Sequence, residues 1–225
     1  RNGGMALTGM KMEMPAVFER YGKELGHRFW DWSLAAIDHL ENTLAEEQIE
    51  CDFERSGHVL LAAKPKHYTA MAHELEWMRS TLGYEDAWLV SKDQQQAEIG
   101  TAEFFGGLAD RRSGALHPAK YVFGLAQAAA RRGIMLVERA QVTGVARRQG
   151  GFFVGTSRGM LECRELLIAT NGYTSNVVPA LRQGIFPIGS YIIVTEPLPP
   201  AVQAEISPRR RMFFDSKNFL NYFRL

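Results

Sequence analysis

Apolar residues recur at three- and four-residue steps through Leu25, Phe29, Trp32, Ala36, Leu40 and Leu44. This spacing predicts one long amphipathic helix over about 18–48, with Pro15 just ahead of its start. Residues 51–63 (CDFERSGHVLLAA) read as extended, with Gly57 as a bulge or turn. Pro65 opens a second predicted helix whose Met71, Leu75, Met78 and Leu82 share a face and whose end falls at Gly83. Ser91 followed by Gln94 forms a capping-box pattern for a short helix ending near Gly100.

In the middle of the chain, Pro118 starts a helix carrying Val122, Leu125, Ala126 and Ala129 and ending at Gly133, and a short strand follows over 134–138. Three extended pieces come next, 141–147, 152–156 and 160–165, joined by turns at Gln149-Gly150-Gly151 and Ser157-Arg158-Gly159. The run Leu166-Leu167-Ile168-Ala169-Thr170 is apolar enough for a strand buried on both faces of a parallel sheet, and Asn171-Gly172 breaks it. Helix, strand, meander, buried strand and glycine turn together predict an α/β fold with a three-layer, Rossmann-like nucleotide-binding architecture. Beyond Pro187 the pattern changes to a β-branched strand at 191–195, a proline-rich turn at 196–200 and a strand at 218–225, which reads as a β-rich second domain.

Composition narrows the function classes. Apolar residues make up 46% and charged residues 23% of the 225 positions, an ordinary globular balance. With 26 Lys plus Arg against 25 Asp plus Glu the net charge is +1, which argues against a nucleic-acid or polybasic membrane surface. No apolar run reaches the roughly 18–20 residues needed to span a bilayer. Cys51 and Cys163 belong to no CxxC pair, so the expected compartment is reducing and cytoplasmic. The terminal KNFLNYFRL stretch and the leading Arg1-Asn2-Gly3-Gly4 lack closing turns or caps, and the expectation is an internal segment of a longer protein.

Most local motifs carry no chemistry. Gly155-Thr156-Ser157-Arg158-Gly159 matches GxSxG, but a strand follows it and every histidine lies upstream, so it reads as a hairpin turn. His73-Glu74 lacks the second histidine of HExxH; the scattered histidines read as satisfied imidazoles, and no metal site is expected. Arg209-Arg210-Arg211 reads as a solvated loop. No two glycines lie two positions apart, so GxGxxG is absent, and none of the glycine pairs with P-loop spacing is followed by lysine.

Four stretches, taken in order, resemble the FAD-dependent oxidoreductases of the D-amino-acid oxidase family, in its gamma-glutamylputrescine oxidoreductase-like branch. They are Arg1-Asn2-Gly3-Gly4, the Gly114-to-Val145 block, the Leu167-to-Thr174 segment LIATNGYT, and Pro187 to Leu198. The likeness covers nearly the whole chain, lacking only the GxGxxG unit that precedes RNGG in the family and the glycine-rich segment that normally closes over the flavin.

The resemblance implies FAD as cofactor and Arg1, Asn2, Gly3, Gly4, Val142, Ala169, Thr170, Asn171 and Gly172 as cofactor-binding. It also implies His117, Tyr222 and Arg224 on the substrate side, with Arg224 pairing a carboxylate. From the residues alone, Gly3-Gly4 also reads as a flexible loop pair, Val142 as a strand valine, Asn171 as a strand-to-helix turn, and Tyr222 with Arg224 as a solvent-facing pair. The implied domains are an incomplete FAD-binding domain over 1–50 and 110–184 and an incomplete substrate domain over 51–109 and 185–225. The implied reaction oxidises the C–N bond of a small-molecule amine or amino acid, with oxygen or another acceptor taking the electrons, and no acid–base residue is assigned as catalytic. Two alternatives remain: a non-catalytic fragment or binding module without the pyrophosphate loop, and an NAD(P) dehydrogenase.

Overall fold

The computed structural model describes residues 2–186 and 188–225; Arg1 and Pro187 lie outside the described residues. The elements in chain order are β1 (Met5–Ala6), α1 (Met14–Tyr21), α2 (Lys23–Glu46), β2 (His58–Leu61), α3 (Pro65–Leu82), β3 (Ala87–Val90), β4 (Gly107–Asp110), β5 (Gly114–Ala115) and α4 (Pro118–Arg131). They continue with β6 (Val142–Arg148), β7 (Gly151–Thr156), β8 (Gly159–Cys163), α5 (Pro179–Gln183), α6 (Pro200–Ile206), β9 (Met212–Asp215) and β10 (Tyr222–Phe223). The mixed α/β class expected from the sequence is the class observed. Contacts divide the chain into two compact units, one running up to Arg131 and resuming over Val194–Leu225, the other Arg132–Ile193.

The first unit is built on a five-stranded sheet of order β10-β9-β2-β4-β3, in which only the β2–β9 pair is parallel. Side-chain alternation splits β2 between two cores. Leu60 packs with Met14, Val17, Trp30, Met71, Leu75 and Leu108 under the helices α1, α2 and α3. Val59 and Leu61 pack on the opposite face with Val90, Ala109 and Phe213.

The predicted long helix is two helices. Gly22 adopts φ 82°, a left-handed conformation that no helix interior accepts, and it ends α1 by donating its N–H to Phe18 O at 2.9 Å. The buried residues of α2 are Gly26, Trp30, Ile37 and Leu44; of the predicted face Leu44 is buried and Phe29 and Leu40 pack against the cores, while Ala36 and Trp32 stay exposed, with the Arg28 guanidinium 5.1 Å from the Trp32 ring. By contrast α3 buries Met71, Leu75 and Met78 as predicted, and Gly83 ends it in the left-handed conformation. Ser91 N–H donates to Gln94 Oε1 at 3.4 Å, one half of the predicted capping box.

The arginine run is not a solvated loop. Arg209 and Arg211 pair with Glu98 at 3.1 and 2.9 Å, and Arg210 pairs with Glu54 at 3.2 Å. Glu98 is buried, and a buried carboxylate needs such counter-charges. They fix the start of β9, a strand the sequence reading left out although Met212-Phe213-Phe214 is apolar.

In the second unit β6, β7 and β8 form an antiparallel meander within about two residues of the predicted pieces. GxSxG is the β7–β8 turn, closed by Thr156 Oγ1 donating to Gly159 O at 2.8 Å. The strands predicted at 134–138, 166–170 and 191–195 do not form, and Leu167 is 89% exposed. A strand buried on both faces needs a hydrogen-bonded neighbour on each side; among the described residues of this unit β6 to β8 pair only with one another.

A buried polar chain joins β2, β4, the α3–β3 loop and the segment after β1. His58 Nδ1 lies 2.8 Å from Ser113 Oγ, which also accepts the Thr8 N–H at 3.2 Å. The Asp110 carboxylate accepts the Tyr84 O–H at 2.6 Å, the Thr8 O–H at 3.0 Å and the Arg112 N–H at 2.8 Å. Burial pushes the His58 imidazole down to about 4; the Asp110 carboxylate opposes this and the Arg211 guanidinium adds to it. The folded value lies below the ordinary value near 6.5, so the unfolded chain binds more protons between pH 6.5 and 4. Stability should therefore fall as pH drops through that window, by up to about 3 kcal/mol. In an NMR titration the His58 ring should remain neutral at pH 5, and urea unfolding of His58→Gln should lose most of the acid-side slope. A His58 resonance titrating near pH 6.5 would contradict the burial account.

Candidate functional site

The first unit brings together residues from three distant parts of the chain. β1 pairs antiparallel with β5, Met5 opposite Ala115 and Ala6 opposite Gly114. The Leu116 N–H then donates to Gly4 O at 2.9 Å, which lays residues 2–4 beside the start of α4. β10 arrives from the other end of the sequence. Asp215 Oδ1 accepts the N–H groups of Lys217 and Asn221, both at 3.2 Å, and turns the chain so that Tyr222 pairs with Phe214 and Phe223 with Phe213. Phe223 stacks on the core residue Phe213 at 5.4 Å. Alternation sends Tyr222 and Arg224 the other way, toward Gly3, and the shared face expected for these two residues is what the structure has.

Arg224 closes the junction. Its Nε donates to Gly3 O and its Nη2 to Leu116 O, both at 2.7 Å, and its Nη1 donates to Leu225 O at 3.2 Å. Three of roughly five guanidinium N–H groups are thus committed to carbonyls. Among the described residues the charge has no aspartate or glutamate partner. Burial, with nearby Arg210 adding to it, depresses the affinity of Arg224 for its proton. A guanidinium nevertheless stays cationic at any physiological pH.

The two glycines are constrained differently. Gly4 has φ +71°, and a Cβ there would lie 2.1 Å from Leu116 O and 2.7 Å from Arg224 Nη2, so the fold itself demands glycine. Asn2 Oδ1 accepts the Gly4 N–H at 2.8 Å, so that amide is already taken. Among the described residues a Cβ at Gly3 would meet only the Tyr222 ring, at an ordinary 3.5 Å. The Gly3 N–H has no partner among the described residues. The protein's own packing leaves Gly3 an available amide donor on a half-buried backbone with the Tyr222 ring in ordinary contact beside it.

His117 lies at the same junction. Its N–H donates to Cys51 O at 2.7 Å, and its Nδ1 accepts the Lys120 N–H at 3.4 Å, the N-cap position of α4. The other expected cofactor residues belong to the second unit. Val142 opens β6 opposite Thr156, just before a register shift at Thr143. Ala169 and Thr170 are exposed and irregular, and Asn171–Tyr173 form one 3-10 turn in which Asn171 has φ 48° and its Oδ1 accepts the Gly172 N–H at 2.6 Å. Arg1 lies outside the described residues. Sequence reasoning missed the Leu116 carbonyl and the Asn2 cap. Only the second had a sequence signal, an Asn two residues ahead of a Gly amide.

The family model for FAD dependent oxidoreductases (DAO) matches residues 1–225. A probable oxidoreductase, OrdL, of Haemophilus influenzae is 28% identical over 229 residues, covering 100% of this chain and 53% of the relative. The chain spans about half the length of the curated relatives it matches. Two solved structures share the fold. Glycine oxidase from Geobacillus kaustophilus matches at TM-score 0.62 and 17% identity, over 81% of this chain and 47% of that one. L-proline dehydrogenase from P. horikoshii matches at TM-score 0.63 and 16% identity, over 84% and 50%. The two structures share the α/β fold, and the family match over the full sequence leads to one conclusion: this chain belongs to the DAO family of FAD-dependent oxidoreductases.

Proposed function

We propose that the chain forms part of an enzyme that oxidises the C–N bond of a small amine or amino acid. The observation that carries this reading is the junction at Gly3, with an amide donor unused among the described residues, beside an arginine that meets no aspartate or glutamate there. The names of the similar structures, a glycine oxidase and an L-proline dehydrogenase, support an amino-acid or amine substrate class. Within that class the finer reading is a gamma-glutamylputrescine-like amine, handled in the cytoplasm.

When bound, FAD supplies the acceptor for a hydride from the carbon bearing the neutral amine, and the electrons pass on to oxygen or another acceptor. Water then converts the substrate imine to a carbonyl compound and ammonia or a shorter amine. The protein's own part is orientation and exclusion of water. Asn2, Leu116 and Arg224 hold Gly3 and Gly4 in one conformation, so the Gly3 N–H points at a fixed place. The remaining Arg224 N–H groups attract a substrate carboxylate, and the Tyr222 ring walls the space beside Gly3. Val142 offers its backbone to the adenine edge, while Ala169, Thr170, Asn171 and Gly172 approach the cofactor at the end of their segment. His117 lies on the substrate side of α4's first turn. The second reading is a binding module that performs no oxidation.

The intact gene product should show the two visible absorption bands of an oxidised flavin. It should also release ammonia or peroxide with at least one member of a panel of small amines and amino acids. Flavin-free protein with nicotinamide-dependent turnover would overturn the assignment, and flavin without turnover across the panel would favour the binding module. Gly3→Ala should leave stability within about 1 kcal/mol, because the added methyl has room, yet weaken FAD at least tenfold in a fluorescence titration. Gly4→Ala should lower both stability and FAD affinity. Unchanged FAD affinity in Gly3→Ala would remove Gly3 from the cofactor site.

A further inference from the structure

The first unit contains a cavity of about 180 Å³ between the loop leading into α1, the helices and the sheet. That is roughly six waters' worth of liquid volume, enough for a short organic molecule. Its apolar wall includes Trp30, Phe214 and Met78, and its polar lining includes Glu13, Glu74 and His58. Among the described residues neither glutamate has a hydrogen bond or an ion pair through its carboxyl group. His58 is only 8% exposed; Ser113 engages its Nδ1, and its Nε2 has no partner among the described residues. An imidazole nitrogen of a buried histidine at a cavity wall, without a hydrogen bond of its own, is a position for a ligand group.

The charge balance selects the ligand. Asp110 also lines the cavity, but the Tyr84, Thr8 and Arg112 donors already satisfy its carboxylate. That leaves Glu13 and Glu74 against a single lysine, Lys11, in the lining. Burial raises the Glu74 carboxyl above its ordinary value, and Glu13 adds to the effect, so the cavity holds negative charge at a cost that a bound cation would relieve. Aromatic faces and a thioether suit the body of an organic cation better than a hydrated metal ion. We propose that this cavity binds a short alkylammonium ion, its charge held by Glu74 and Glu13 and its carbon chain by Trp30, Phe214 and Met78. The inference stands on the cavity alone and does not depend on the flavin reading.

The test is a calorimetric titration of the intact gene product with n-butylammonium chloride, alongside 1-butanol and butyrate as neutral and anionic counterparts of the same length. The ammonium should bind at least tenfold more tightly than either. Glu74→Gln should weaken it at least tenfold while changing butanol less than twofold. Glu13→Gln, at an exposed position that leaves the core untouched, should weaken it severalfold and decides the matter if Glu74→Gln does not fold. Equal binding of the three compounds, no ammonium binding, or ammonium affinity unchanged in the folded variants would overturn the proposal. Flavin absorbance recorded on the same samples reports separately on the oxidoreductase reading.

Discussion

The Arg224 guanidinium, bound at once to the carbonyls of Gly3 and Leu116, is the constraint on which the candidate site depends. Two backbone carbonyls brought this close repel one another unless a donor sits between them, and a charged donor is worth about 1.5–3 kcal/mol per hydrogen bond. One side chain therefore joins three segments separated by more than a hundred residues. The same contact makes Gly4 obligatory, since any side chain there would strike Leu116 O and the guanidinium. Glycine at position 3 has no such internal reason, and the difference between the two glycines is what directs attention to a ligand.

The segment after the glycines is held just as firmly. Ser113 and Asp110 anchor Thr8 by its backbone and its hydroxyl, and both belong to the buried chain that includes His58 and Tyr84. Residues 4–8 are thus tied to Leu116 at one end and to the sheet at the other. Functional groups on loops gain precision when a rigid scaffold fixes the loop on both sides. The five-stranded sheet supplies that scaffold, and β9 has a particular part in it. Its parallel pairing with β2 and its ion pairs to Glu98 bring the last strand, with Tyr222 and Arg224, back to the beginning of the chain.

Local patterns proved readable where the deciding interactions are local. The meander follows from Gly150-Gly151 and Gly159 turns between alternating strands, and α3 follows from Pro65, a regular apolar face and Gly83. The shared face of Tyr222 and Arg224 follows from strand alternation alone. What the sequence hid depends on long-range partners. The α2 face is legible only in part, through Phe29, Leu40 and Leu44, because two apolar stripes compete and only tertiary packing selects Trp30 over Trp32. β9 was hidden behind three arginines whose partners, Glu54 and Glu98, are remote in sequence. Leu166–Thr170 has the composition of a buried strand, but composition cannot supply the neighbouring strands such an element requires. At the candidate site, the glycines and strand alternation picked out residues that the structure brings together, Gly3, Gly4, Tyr222 and Arg224, whereas a backbone carbonyl at Leu116 has no side-chain signature.

The most direct measurement is a crystal structure of the intact gene product with FAD. The account predicts flavin atoms within hydrogen-bonding reach of the Gly3 amide, with the Arg224 guanidinium still on the carbonyls of Gly3 and Leu116. A flavin bound elsewhere, with the Gly3 amide turned to solvent or to another part of the protein, would contradict it.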